Sequence, residues 1–234
     1  MTPPPPRLTV HAVRATAVHV PLRRPLGTSA RRLTVAPLVL VDVDTREGLT
    51  GRAYVVGYLP AATVGLASLV RDAGAQIVGQ LLDPPALLQR LSTHVRLLGL
   101  SGLVTMALSG VDGACWDALA QAAGVPLAQM LGARRTRVPA YNSTGLGLME
   151  PEALGTEASA LITEGMSAIK LRLGYGSLAE DLAALDVVRA RVPDATVVMV
   201  DYNQALTVDE ALVRGRALDR AGVAWIEEPI RHDD

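Results

Sequence analysis

Four apolar segments in the second half of the chain end in polar side chains that could carry out chemistry. These ends are Tyr141-Asn142-Ser143, Lys170-Leu171-Arg172, Asp201-Tyr202-Asn203 and Glu227-Glu228-Pro229. If the segments are neighbouring strands, Lys170 and Arg172 point the same way, because strand side chains alternate between two faces. Polar groups that face inward at the ends of successive strands are costly unless they bind something. The pattern therefore predicts a binding or catalytic site.

Asp201 and Glu227 are candidate ligands for Mg²⁺. Two converging carboxylates suit this ion, which takes few protein carboxylates and keeps room for water and substrate. The neighbouring cations, Lys170 and Arg172, suit a carboxylate substrate whose negative charge grows on enolisation. The structural alternative pairs Lys170 with Asp201 and Arg172 with Glu227, which would only tie strands together. Spacing alone leaves both interpretations open.

The elements that must position these groups alternate between strand and helix after residue 138. The predicted strands are 138–143, 167–173, 197–202 and 223–228. Capping-box patterns begin two of the helices, at Ser177 with Glu180 and at Thr207 with Glu210. The alternation predicts a parallel sheet with right-handed crossovers. A barrel of eight such units needs roughly 250 residues, so four units are half a barrel. We expect either an open, doubly wound sheet or a truncated barrel.

The first half of the chain follows a different plan. Predicted strands at 8–20, 37–44 and 51–57 form an antiparallel meander, with a mobile loop at 26–34. Helices are predicted at 61–77, 84–98, 103–123 and 126–131. The proline-rich residues 1–7 predict a flexible tail.

Composition narrows the classes of function. The chain has 234 residues, is 50% hydrophobic and carries a net charge of -1. This balance supports a sizeable core and gives no reason to expect a nucleic-acid or membrane partner. The single cysteine cannot form an internal disulfide, and no signal peptide is evident, so a reducing, cytoplasmic location is expected.

Four motifs in order resemble the mandelate racemase/muconate lactonizing enzyme family of the enolase superfamily, in its mandelate racemase-like subgroup. They are Asp112-Gly113-Ala114-Cys115-Trp116-Asp117-Ala118-Leu119, Ile169-Lys170-Leu171-Arg172-Leu173-Gly174-Tyr175, Val200-Asp201-Tyr202-Asn203-Gln204 and Trp225-Ile226-Glu227-Glu228-Pro229. The resemblance extends from about Leu8 to Asp234. It implies an α+β N-terminal cap domain at 8–132 and then the first half of a (β/α) TIM-like barrel at 133–234, truncated after the fourth barrel strand.

The resemblance also implies roles for the site residues. Asp201 and Glu227 match two of three carboxylate ligands for Mg²⁺, and the third would follow a fifth strand. Lys170 matches the first lysine of the family's Lys-x-Lys, which holds the substrate carboxylate. Arg172 stands where the second lysine acts as a base. Arginine stays protonated, so a one-base reaction such as acid-sugar dehydration is favoured over racemisation. A 2-hydroxy acid racemase, another isomerase, and an inactive fragment or binding module remain alternatives.

Further substrate contacts are implied by the same resemblance. They are Ser143 and Asn203 at strand ends, with Leu26, Leu33 and Tyr58 as the cap residues that cover the pocket. The family also implies a small carboxylate substrate, an acid sugar or a 2-hydroxy acid, and a homo-oligomer.

Overall fold

The computed structural model describes residues 7–233. The tail predicted for residues 1–7 therefore lies, apart from Arg7, outside the described residues. The chain divides into two compact units. The first contains the residues up to Pro21 and Val35–Thr136, and the second contains Leu22–Thr34 and the residues from Arg137 onwards. The chain thus contributes to the second unit twice.

The first unit is built on an antiparallel sheet. Its strands are β1 (Val10–Gly27), β2 (Arg32–Thr45) and β3 (Thr50–Val56), in the order β1-β2-β3. Alternation along β2 buries Val39, Val41 and Val43 on one face. The predicted meander is confirmed. The loop predicted at 26–34 is too long, because β1 continues to Gly27 and β2 begins at Arg32.

Four helices complete the first unit. They are α1 (Pro60–Ile77), α2 (Pro84–His94), α3 (Gly102–Ala123) and α4 (Leu127–Met130). The first two begin with proline, whose missing N–H costs nothing at a helix start. Helix α3 packs closely on β3 at Gly51, where an added Cβ would lie 1.9 Å from the Ala114 carbonyl oxygen.

The second unit contains parallel strands connected by helices. Its elements are α5 (Pro151–Thr163), β4 (Ala168–Arg172), α6 (Leu178–Arg189), β5 (Val197–Asp201), α7 (Val208–Arg220) and β6 (Ile226–Glu227). The strand order is β4-β5-β6, and both pairings are parallel. Ser177 and Thr207 cap α6 and α7 by accepting hydrogen bonds from the amides of Glu180 and Glu210. The α+β cap and the partial (β/α) barrel predicted from the sequence are both confirmed.

One predicted barrel strand is wrong. Residues 138–143 form no strand, and a single parallel bridge joins Asn142 to Ile169. Pro139 has no N–H to donate to a ladder. The Asn142 side chain accepts hydrogen bonds from the amide and hydroxyl of Thr144, which forms a turn directly after the bridge. Strand β6 is also shorter than the predicted 223–228.

Among residues 7–233, no helix combines the length and apolar character needed to cross a membrane.

Candidate active site

The carboxyl ends of the three parallel strands bring Lys170, Asp201 and Glu227 together. Asp201 pairs in register with Arg172 on one side and with Glu227 on the other. The Lys170 Nζ lies 2.9 Å from Asp201 Oδ2 and 2.9 Å from Glu227 Oε1. The side chains of Lys170 and Asp201 are only 6% and 4% exposed, whereas that of Glu227 is 36% exposed. One ammonium group therefore bridges two carboxylates, one of them deeply buried.

The contacts in this cluster favour the charged form of Lys170. Burial of the Lys170 ammonium opposes its charge, but its hydrogen bonds and ion pairs with Asp201 and Glu227 outweigh burial and raise its pKa. The second oxygen of Asp201, Oδ1, accepts a hydrogen bond of 2.8 Å from the Asn203 amide. Both Asp201 oxygens are thus oriented by this chain's own groups.

Arg172 is held separately from the carboxylates. Its Nη1 donates to the Gly145 carbonyl oxygen at 2.9 Å, and its Nη2 donates to the Ser143 hydroxyl at 3.3 Å. Its Nε is buried without a hydrogen-bond partner among the described residues. Burial lowers the pKa of Arg172, against the opposing attraction of Asp201 and Glu227. The pairing of Arg172 with Glu227, considered as a structural alternative, is not among the ion pairs of residues 7–233.

The backbone next to the strand ends adopts an uncommon conformation. Four non-glycine residues of the second unit have left-handed φ angles: Leu146 (45°), Asn203 (48°), Gln204 (64°) and Glu228 (42°). Each such residue stores strain on the order of 1–3 kcal/mol, and strain of this kind clusters at functional sites. The Asn203 Oδ1 is also buried and has no partner in the described part of the chain. Asn203 therefore combines a left-handed backbone with a buried side-chain oxygen that no described residue satisfies.

The donor set fits a divalent cation of the Mg²⁺ type. Asp201 and Glu227 offer hard oxygen atoms that already converge on one positive charge, the Lys170 ammonium. No group of three or more His, Cys, Asp or Glu side chains suited to a metal occurs within residues 7–233. The described residues thus offer two candidate ligands, Asp201 and Glu227.

The segment Leu22–Thr34 contacts these strand ends within the second unit. Ser29 Oγ donates to the Tyr202 carbonyl oxygen at 2.7 Å, immediately after Asp201. The amide of Leu148 donates to the Gly27 carbonyl oxygen at 3.1 Å. A Cβ at Gly147 would lie 2.4 Å from that same oxygen, so the close approach requires glycine.

The predicted cap residues occupy two places. Leu26 lies in β1 and Leu33 in β2, on either side of this contact, and both are half-buried. Tyr58 follows β3 in the first unit, where it is 66% exposed. The substrate-binding roles of all three remain predictions.

Residues that the sequence did not single out complete the surroundings. Asp181 is fully buried; its Oδ1 accepts from the amides of Gly174 and Tyr175, both at 3.0 Å. Its Oδ2 accepts from the Tyr202 hydroxyl at 2.8 Å and from Arg214 Nη1 at 2.6 Å. This network links the loops after β4 and β5. Nothing local marks it, because acidic residues in a first helical turn are usually solvated.

Tyr141, which the sequence places only at a predicted strand end, lies near Lys170 and Trp225. Its ring centroid lies 6.0 Å from the Lys170 Nζ and 5.3 Å from the ring of Trp225, at an interplanar angle of 82°. The ring therefore lies near the ammonium group.

A cavity of about 960 Å³ in the second unit lies elsewhere, beside α5. Its walls carry arginines and glutamates, including Arg24 and Glu157. Arg24 pairs with Glu164 and lies 3.8 Å from Glu157, so these charges compensate one another. We place the candidate active site at the strand ends, where charged side chains are buried.

An α+β cap unit together with a parallel (β/α) unit that presents carboxylates and a lysine at its strand ends defines the enolase class of fold. The chain matches the "mandelate racemase / muconate lactonizing enzyme, N-terminal domain" over residues 10–132 and the "enolase C-terminal domain-like" family over residues 153–234. It belongs to the mandelate racemase/muconate lactonizing enzyme family of the enolase superfamily.

Similar proteins include enzymes and magnesium-bound structures. The chain is 30% identical to the L-talarate/galactarate dehydratase of Salmonella typhimurium, over 93% of this chain and 56% of that protein. It is similar to a solved enolase from alpha pretobacterium bal199 with bound Mg (TM-score 0.92, 38% identity, 97% of this chain, 64% of that one). A Bradyrhizobium enolase complexed with magnesium and mandelic acid gives a TM-score of 0.88 at 37% identity, over 98% of this chain and 63% of that one. The chain thus spans less than two thirds of each.

Proposed function

We propose that this protein is a Mg²⁺-dependent enzyme, or a part of one, that removes the α-proton of a carboxylate substrate. We further propose that its reaction is the dehydration of an acid sugar. The observation that carries the proposal is the convergence of Asp201 and Glu227 on one positive charge, beside a second buried cation. The similarity to a dehydratase and to magnesium-bound structures supports it.

The described side chains divide the work as follows. Asp201 and Glu227 would hold Mg²⁺, which supplies positive charge that stabilises the substrate carboxylate as it gains charge. Lys170 donates hydrogen bonds to that carboxylate. Asn203 and Ser143 orient the substrate; the Asn203 Oδ1 is buried and has no partner within residues 7–233. Leu26, Leu33 and Tyr58 are proposed to shape the pocket.

Arg172 favours dehydration over racemisation. A racemase needs a base on each face of the α-carbon, but a guanidinium stays protonated even where burial lowers its pKa. Arg172 instead donates hydrogen bonds from a fixed position. In a dehydration, one base takes the α-proton and, as an acid, gives a proton to the β-hydroxyl as the β-carbon–oxygen bond breaks. Water leaves, and the enol that remains tautomerises to a 2-keto acid. This reaction needs no base at position 172.

Two alternatives keep a specific basis. A solved relative holds mandelic acid, which favours a 2-hydroxy acid racemase or a related isomerase. A binding module or an inactive fragment is the alternative of another class, and it would use the carboxylate pair of Asp201 and Glu227 to bind a metal without turnover. A homo-oligomer with a small carboxylate substrate, either an acid sugar or a 2-hydroxy acid, is proposed from the family.

The test follows substrate and solvent protons together. The purified chain, and the longer product if the coding sequence continues past Asp234, are incubated with Mg²⁺ in D₂O with galactarate, talarate or mandelate. Formation of a 2-keto acid with loss of water supports a dehydratase. Deuterium entry at the α-carbon with inversion and no loss of water supports a racemase. Magnesium binding without either reaction supports the binding module.

Two variants give controls for this assay. Asp201→Asn should abolish turnover. Arg172→Met should reduce the rate yet leave measurable α-proton exchange, because Arg172 orients and does not take the proton. If Arg172→Met abolishes exchange while Arg172→Lys restores or exceeds it, position 172 carries the base and the one-base reaction is wrong.

A further inference from the structure

Lys170 makes its two closest polar contacts with the same carboxylates that are the candidate metal ligands. An ammonium group has three N–H donors. Two of them are engaged at 2.9 Å by Asp201 and Glu227. The ring of Tyr141 lies 6.0 Å from the Nζ. At most one donor is therefore left for any incoming anion.

The charges of this cluster do not balance. Two carboxylates and one ammonium leave a net charge of -1 where the carboxylates alone would leave -2. A divalent cation that approaches the pair is therefore attracted less strongly than the carboxylates alone would attract it. Arg172 also attracts both carboxylates through space, but its hydrogen-bond donors are directed to Gly145 and Ser143, so Lys170 is the cation in direct contact with the pair.

We propose that Lys170 is the resident counter-cation of the Asp201–Glu227 pair and competes with the metal for it. This inference rests on the proposed function and adds an order to it. When the metal neutralises the carboxylates, the Lys170 donors are released and become available to the substrate carboxylate. The metal therefore binds first, and Lys170 couples its arrival to substrate binding. Without metal, the same lysine keeps a buried carboxylate neutralised and the strand ends together.

The test is a titration with Mg²⁺ alone, by isothermal calorimetry, on the full chain and its variants at one pH and ionic strength. Lys170→Met removes the competing charge at similar length, and it should bind Mg²⁺ at least about tenfold more tightly than the wild type. Lys170→Gln makes the same charge change and provides a second variant if the methionine protein does not fold. Lys170→Arg keeps the charge and should not tighten binding.

Arg172→Met is the matched control. It removes one positive charge from the next inward-facing position of the same strand but breaks no contact with either carboxylate. Its effect on Mg²⁺ affinity should be clearly smaller than that of Lys170→Met. Equal tightening in both variants would show a general field effect and would overturn a specific competition by Lys170.

The remaining outcomes separate this inference from the proposed function. If the wild type binds Mg²⁺ and Asp201→Asn abolishes binding, yet Lys170→Met and Lys170→Gln bind equally or more weakly, the inference is overturned and the carboxylate site stands. If neither the wild type nor the lysine variants bind Mg²⁺, the carboxylate pair is not a metal site. Both the inference and the proposed function are then wrong.

Discussion

The buried Asp181 predicts a large loss of stability from a change of a few atoms. Asp181→Asn keeps the shape of the side chain but removes its charge. Its four partners are all donors: two amides, the Tyr202 hydroxyl and Arg214 Nη1. The asparagine NH₂ would face the Arg214 guanidinium, which cannot accept a hydrogen bond. The guanidinium side chain, 9% exposed, would lose its buried partner.

The magnitude follows from that burial. Breaking a buried ion pair on one side costs about 3–5 kcal/mol, because the other charge stays buried. The cost here should lie toward the lower end of that range, since Arg214 keeps a hydrogen bond to the Tyr175 carbonyl oxygen and lies 4.0 Å from Glu210. Domains are stable by about 5–15 kcal/mol in total, so the second unit should become marginal. In Asp181→Asn/Arg214→Met, where both charges are gone, the loss should be smaller than the sum of the two single losses.

The assay is urea unfolding followed by tryptophan fluorescence. The chain has two tryptophans, and a Trp116→Phe background leaves Trp225 as the reporter of the second unit. The matched control is Asp233→Asn, the same substitution in an exposed pair whose side chains are 2.7 Å apart. It should leave the midpoint unchanged. A loss below about 1 kcal/mol in Asp181→Asn, the range of a surface pair, would refute the reasoning.

Three further predictions concern packing, a thiol and pH. Gly51→Ala should destabilise the first unit strongly, because its Cβ would lie 1.9 Å from a backbone oxygen of α3. Gly113 lies in α3, and an added Cβ there meets nothing closer than 3.5 Å, so Gly113→Ala should stabilise the unit by about 0.5–1 kcal/mol. Urea unfolding midpoints of the two variants would show both effects. Burial, reinforced by the charge of Asp112, raises the pKa of the buried Cys115 thiol to about 12. A thiol reagent should therefore label Cys115 only in denaturant, and rapid labelling of the native protein would contradict this. Burial raises the pKa of the Tyr202 phenol above its ordinary 10.0, so its contribution to stability is complete below pH 10 and is lost as the pH rises further. The free energy of unfolding, measured from pH 8 to 11, should therefore fall less steeply in Tyr202→Phe than in the wild type. Equal slopes would contradict this prediction.

Much of the fold could be predicted because its signals are local. Capping boxes at Ser177 and Thr207 lie next to the observed starts of α6 and α7. The strand predicted at 37–44 lies within β2. The failures involve pairing between distant segments. Residues 138–143 have strand-like composition, but whether they join a ladder depends on Ile169 and on the turn at Asn142.

The candidate site shows the same division. That Lys170, Asp201 and Glu227 converge could be predicted, since parallel strand ends share one edge of a sheet. Which cation contacts which carboxylate could not, because this depends on the distances across β5 and β6. Lys170 takes both carboxylates, and Arg172 takes a carbonyl and a hydroxyl. Asp181 and Arg214 were missed because charged residues on helices are normally solvated.

Because the second unit is built from two separate stretches of the chain, its parts become available at different times during synthesis. Ser29 hydrogen-bonds to Tyr202, which is made 173 residues later. At about 5–20 residues per second, that partner leaves the ribosome roughly 10–35 s after the serine. During this interval the hydrogen bond from Ser29 to Tyr202 cannot form, whereas the local bonds between Thr28 and Arg31 can. The second unit therefore cannot be completed before Tyr202 has emerged, although the first residues that it needs are made early.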